Sequence, residues 1–160
     1  MKRRVVVVVM AAVLLCIGGS AASAIDALIP GGATPLQIVT VRKATMQAVF
    51  ANYADARAKL TAGTIKAISA NGKALAAMLA AVPYLFGDAY GSVYPVGASK
   101  YFFKGGAVAD FRNVAQAFVT ASEELVKLAD ADDKAGVEAQ IPKVFATCGA
   151  CHGVFRGQQP

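Results

Sequence analysis

The nine residues Cys148-Gly149-Ala150-Cys151-His152-Gly153-Val154-Phe155-Arg156 stand near the end of a 160-residue chain and hold its only histidine. On a helix, residues three or four apart share a face. Cys148 and Cys151 can therefore each add a thiol to one of the two vinyl groups of a single haem. His152 follows directly and can place an imidazole nitrogen on the iron as the proximal ligand. Cys-x-x-Cys-His is the attachment pattern for c-type haem. Three other readings compete. A structural zinc needs four protein ligands, and two Cys and one His would require a carboxylate to complete them. A thiol–disulfide redox pair usually opens a helix beside a βαβ unit, whereas only nine residues follow Cys151 and no such unit is evident. A plain structural disulfide is the third.

Upstream of the motif the chain reads as helices. Alanine is abundant, Gly and Pro punctuate at intervals, and no long run alternates β-branched with polar residues. Thr34-Pro35 opens a first helix that runs to about Leu60, Thr as a cap and Pro at the first helical position. Val39, Met46, Phe50 and Tyr53 share one of its faces by spacing. A second helix runs from about Thr64 to Leu79 or Val82, with Ile65, Ile68, Leu75, Met78 and Leu79 as its apolar stripe. Pro83 ends it, because the ring disfavours helix at the residue before it. A third spans about Val108 to Ala129, with Phe111, Val114, Phe118, Leu125 and Leu128 apolar. The polar turn Asp130–Asp133 leads to a fourth, about Ala135 to Arg156, in which Pro142 kinks or starts the well-packed part. Phe145 and Phe155 on it suit either the bundle core or packing on a haem. Between the second and third helices lies a loop, Gly87 to Gly106, rich in Gly and Tyr and long for a compact domain. Four helices with mostly short connections predict an all-α fold, an antiparallel four-helix bundle carrying one covalently attached haem.

The N-terminus reads as an export signal. Lys2, Arg3 and Arg4 precede an apolar run from Val5 to Ile17, and Ala22-Ser23-Ala24 supplies a small-x-small cleavage site. The run is too short for a hydrocarbon core, which takes about 20 apolar residues. Cys16 follows Leu15, where a lipoprotein signal wants a small residue, so it belongs to the discarded peptide. The expected division is a cleaved signal at 1–24 and a cytochrome domain at 25–160, periplasmic and without a membrane anchor after cleavage. The composition, 56% hydrophobic and 16% charged, excludes a disordered chain. Loss of three cations lowers the net charge from +6 to +3, too mild for a nucleic-acid partner.

Only eight residues follow His152, none of them Met or His. A sixth iron ligand must therefore come from upstream. There the processed chain offers Met46 and Met78, so the choice is Met46, Met78 or no strong protein ligand. Met78 sits among Leu75, Leu79 and several alanines, which suits a core filler.

The motif, its C-terminal position and the four helices together resemble the class II c-type cytochromes, the cytochrome c' family, over essentially the whole processed chain. Cys148 to Arg156 is similar to that family's Cys-x-x-Cys-His-x-x-aromatic-Arg ending. Val41-Arg42-Lys43-Ala44-Thr45-Met46 resembles its first-helix segment, with Arg four residues before the distal haem residue. The resemblance implies haem c held through two thioethers, His152 and Met46 on either face of the iron, and Arg42 near a propionate. Arg156, the closing Arg of the motif, is the second candidate cofactor-binding cation. Arg42 also suits a solvated helix position, and Arg156 a surface cation favoured by the helix dipole. In low-spin members a Met at position 46 binds the iron; in high-spin members that position holds a bulky apolar residue, or a Met that does not bind. Residues 25–34 and the 87–106 loop match no family pattern.

Two functions follow. With Met46 bound, the chain is a one-electron carrier that meets other periplasmic redox proteins transiently through a small interface. With the iron position left open, and Met46 only walling it together with neighbours such as Val49 and Phe50, it binds nitric oxide or carbon monoxide. An enzyme is the weaker option, because no second His is present to act as a distal acid–base group. The family resemblance also allows a homodimer through the first two helices.

Overall fold

The structure, a computed structural model, describes residues 34–85, 101–103 and 108–158. The expected signal segment and most of the expected 87–106 loop lie outside the described residues. Four helices form, α1 (Pro35–Thr61), α2 (Ile68–Ala81), α3 (Val108–Asp130) and α4 (Lys134–Phe155), all within the unit Pro35–Pro160. Single 3-10 turns at Ile65–Ala67 and Val82–Leu85 flank α2. The α-helix thus ends at Ala81, just ahead of Pro83, and the tighter turn carries the chain on with Pro83 buried.

The helices are bound by one pattern. Val39, Arg42, Met46, Val49, Tyr53, Ala56 and Leu60 on α1 alternate spacings of three and four. So do Ile65, Ile68, Gly72, Leu75, Leu79 and Val82 along α2, and Phe111, Ala115, Phe118, Ser122, Leu125 and Ala129 on α3. On α4 the series is Val137, Ile141, Val144, Cys148, Cys151 and Phe155. All these residues are buried or half-buried. This 3-4 alternation is the seam of helices packed side by side.

Neighbouring helices run antiparallel. At one end of the α2–α3 contact Gly72 lies against Ser122 and Val126. At the other, the Arg112 guanidinium stands 5.9 Å from the Tyr84 ring centroid. Between α3 and α4, Gln140 Nε2 donates to the Ala121 carbonyl at 2.9 Å, and Phe111 meets Phe155 edge-on with centroids 5.0 Å apart. Between α1 and α2, Asn71 Nδ2 donates to Asp55 Oδ2 at 2.8 Å, and Asn71 Oδ1 accepts from Lys59 Nζ at 2.8 Å. Lys59, and secondarily Asn71, hold the Asp55 carboxyl below the usual carboxylate range.

Turn chemistry sets the short connections. Gly63 takes φ +75° between α1 and the turn into α2, and Asp132 takes φ +59° between α3 and α4, a conformation that Gly and Asp tolerate. The Asp133 carboxylate then caps α4 by accepting from the Gly136 amide at 2.9 Å.

Two details depart from the pattern expected from sequence. Phe50, placed by spacing with Val39 and Met46, is 65% exposed; the stripe is narrower than that spacing suggested, and Phe50 lies one step outside it. Within the expected loop, β1 (Tyr101–Phe103) pairs antiparallel with β2 (Arg156–Gln158), Phe103 opposite Arg156. Three-residue strands carry too little alternation to be read from sequence.

Candidate functional site

Cys148 and Cys151 are the next two members of the α4 core stripe after Val144. Both are half-buried free thiols packed against the same apolar cluster as Met46. Cys148 Sγ lies 3.9 Å from the Val144 carbonyl. Burial pushes both thiols above their ordinary pKa, and for Cys151 the neighbouring Cys148 adds to the rise. The motif occupies the last turns of a 22-residue helix, where the dipole disfavours a thiolate. Redox-active Cys-x-x-Cys pairs show the opposite, a depressed pKa. Among the described residues no group of three or more His, Cys, Asp or Glu is placed to hold a metal ion, which removes support for zinc.

His152 sits one residue beyond the stripe and is half-buried. Burial, and secondarily the Arg156 charge, lower its pKa. Both effects favour the neutral imidazole, the form that ligates a metal.

The distal candidates are on α1. Tyr53 and Phe145 stack across the α1–α4 contact, ring centroids 5.2 Å apart, and this pair fixes the register of the two antiparallel helices. Met46 is seven residues before Tyr53 and His152 seven after Phe145. At 1.5 Å per residue both lie about 10 Å along the axis from the stack, so Met46 stands level with His152. Arg42 is eleven before Tyr53 and Arg156 eleven after Phe145, so they too share a level. Residues more than a hundred positions apart in the chain thereby converge on one end of the bundle. Arg42 is the surprise among them: it is 2% exposed, on the apolar stripe. A solvated position is thus ruled out for Arg42, whereas Arg156 is exposed.

The other aromatic candidates separate. Phe155 is buried against Phe111, while Phe145 is 52% exposed on its stack with Tyr53. Val49 is buried, and Met78 is a half-buried member of the α2 packing. Sequence spacing did not expose the Tyr53–Phe145 stack, because it depends on which faces of two distant helices meet.

Comparison with known proteins decides the family. The sequence profile described as cytochrome c' matches residues 37–156. The chain belongs to the cytochrome c' family. Solved structures agree on the fold. Cytochrome c' from Thermochromatium tepidum superposes with a TM-score of 0.68 at 23% identity, covering 79% of this chain and 98% of that one. A nitric oxide complex of a point mutant of cytochrome c prime from Alcaligenes xylosoxidans gives 0.63 at 22% identity, covering 79% and 99%. A cytochrome c' with an unusual ligand-controlled dimer dissociation gives 0.67 at 22% identity, again covering 79% and 99%. No curated protein matches the chain.

As a cytochrome c', the chain carries covalent haem c with its iron. The donor set fits that cofactor: two neutral thiols three residues apart on the core-facing stripe, with a neutral imidazole beside them.

Proposed function

We propose that this cytochrome c' is a periplasmic one-electron carrier, exported by a cleaved signal at 1–24, whose haem c is held by Cys148, Cys151, His152 and Met46. The observation that carries the reading is the register set by Tyr53 and Phe145, which brings Met46 level with His152 across the α1–α4 seam. Bound there, haem c supplies a one-electron redox iron. The chain's own residues do the positioning. Cys148 and Cys151 each give a thiol to a thioether and prevent dissociation. His152 would give an imidazole nitrogen to the iron. Met46 would give a thioether, a ligand type that raises the potential. Arg42 places a buried cation at the same end of the bundle, suited to a bidentate bond with a propionate, and Arg156 supplies a second cation at that level.

A second reading is favoured by the nitric oxide complexes among the structural neighbours. In it Met46 and the buried Val49 wall an open iron position, and the protein binds small gases rather than passing electrons. Self-association through the outer faces of α1 and α2 is compatible with either reading. An optical spectrum of the reduced, haem-loaded protein before and after carbon monoxide separates the two. Sharp low-spin bands unmoved by the gas support the carrier. A broad high-spin spectrum that shifts with the gas transfers the assignment to gas binding, and the absence of covalent haem after competent maturation overturns both.

A further inference from the structure

Asparagine occurs three times in the chain, each time with a different follower: Asn52-Tyr53, Asn71-Gly72 and Asn113-Val114. The follower governs a side reaction of asparagine, in which the next residue's backbone nitrogen attacks the side-chain amide carbon. Tyr and Val shield that nitrogen with a side chain, and Gly does not. Gly also gives an open chain the widest choice of backbone angles, including those that bring the two atoms together. Asn71-Gly72 is therefore the reactive pair of the three.

The fold withholds the reaction. Both residues lie inside α2, where helical φ and ψ commit the Gly72 nitrogen to the hydrogen-bond ladder and exclude the rotation that the attack requires. The Asn71 side chain is itself held elsewhere. It is 3% exposed. Its Nδ2 donates to Asp55 Oδ2 at 2.8 Å and to the Asn52 carbonyl at 3.2 Å, and its Oδ1 accepts from Lys59 Nζ at 2.8 Å. Gly72 lies against the Ser122 carbonyl and Val126 of α3, so α2 leaves the helical conformation here only by parting from α3.

We propose that Asn71-Gly72 is a deamidation site gated by the fold: it is converted when α2 opens, and the conversion disables the polar pin between α1 and α2. The Gly72 nitrogen bonds to Asn71 Cγ, and its proton leaves with the side-chain amino group as ammonia, closing a cyclic imide. Water then opens either carbonyl of the ring, its hydroxyl going to carbon and its hydrogen to nitrogen. The net change is amide plus water to carboxylic acid plus ammonia, with no oxidant or reductant. The product is an aspartyl or isoaspartyl residue at position 71. An aspartyl residue sets an acceptor where a donor faced Asp55 and the Asn52 carbonyl, with Lys59 shared between two carboxylates. An isoaspartyl residue adds a backbone atom to α2 beside the close contact of Gly72 with α3. Either product marks the chains that have opened and leaves them less able to close.

Two measurements test this. In the first, the holoprotein is aged in mildly alkaline buffer with and without guanidinium chloride, and peptide mass spectrometry reads the acid form at each asparagine. Thioether-bound haem stays attached in both samples, so the two differ only in folding. The unfolded holoprotein should convert Asn71 ahead of Asn52 and Asn113. The folded one should convert Asn71 about tenfold or more slowly, because reaction waits for α2 to open. Equal rates in the two samples, or conversion led by Asn52 or Asn113 in the unfolded one, overturn the proposal. In the second, Asn71→Asp stands in for the product. Its holoprotein should have a folding equilibrium constant lower by about tenfold or more in a urea titration; stability equal to the parent's overturns the loss of the pin. Should Asn71→Asp fail to mature, aged parent holoprotein, separated from fresh protein by its added negative charge, gives the same comparison. Neither measurement depends on the sixth position of the iron.

Discussion

Replacing Gly72 by Ala tests the packing that holds the bundle together. Gly72 is a core-stripe position on α2, and a Cβ there would lie 2.7 Å from Val126 Cγ2, 3.1 Å from the Ser122 carbonyl oxygen and 3.3 Å from the Val126 amide nitrogen. The first distance is below any ordinary contact. Val is stiff about χ1, and the other two atoms are α3 backbone, so relief requires the helices to separate. Overpacking of this kind costs about 1–3 kcal/mol. Ala gains about 1 kcal/mol over Gly in a helix interior, so the net effect is a loss of up to about 2 kcal/mol. Urea titrations of the holoprotein at constant haem loading read the loss. The reasoning is refuted if G72A is more stable than the parent.

Three further outcomes follow from the site and its supports. Met46→Leu keeps the volume but removes the sulfur; for the carrier it should convert a low-spin reduced spectrum into a high-spin one that takes up carbon monoxide, while covalent haem is retained. Asn71→Ala removes the bond donated to Asp55 and the one accepted from Lys59 from a buried position, and should lower the stability in urea unfolding. The Asp55 carboxyl is held below its ordinary pKa, so its contribution is present above the unfolded carboxylate pKa and is lost as pH falls through the folded value. The stability gap between the parent and Asp55→Asn should therefore narrow on acidification below about pH 4; a gap that widens in acid would refute the assignment.

The family and its haem c were legible from one short motif. Cys148, Cys151 and His152 suggest their chemistry by type and spacing, which are local properties. Helix bounds were legible for the same reason: Pro35, Gly63 and the Asp132-Asp133 turn act on their immediate neighbours, and the ends of α3 and α4 fall within a residue or so of the pattern. Phe50 was misplaced because a helical spacing of three or four residues defines a broad face, while a four-helix seam buries only its centre. Arg42 illustrates the same limit. Its position on the stripe follows from the numbering, but a cation at a core position is not credible until the packing shows it buried there.

What the sequence alone determined is thus the covalent chemistry, the helical class and the shortlist of axial ligands, because each depends on residue type or on spacing within one segment. The tertiary structure decided which of those residues meet. Met46 and His152 share a level only because Tyr53 stacks on Phe145, and Arg42 and Arg156 share theirs for the same reason. The register between two helices about a hundred residues apart is set by how side chains from both interlock, and no period within either helix contains it.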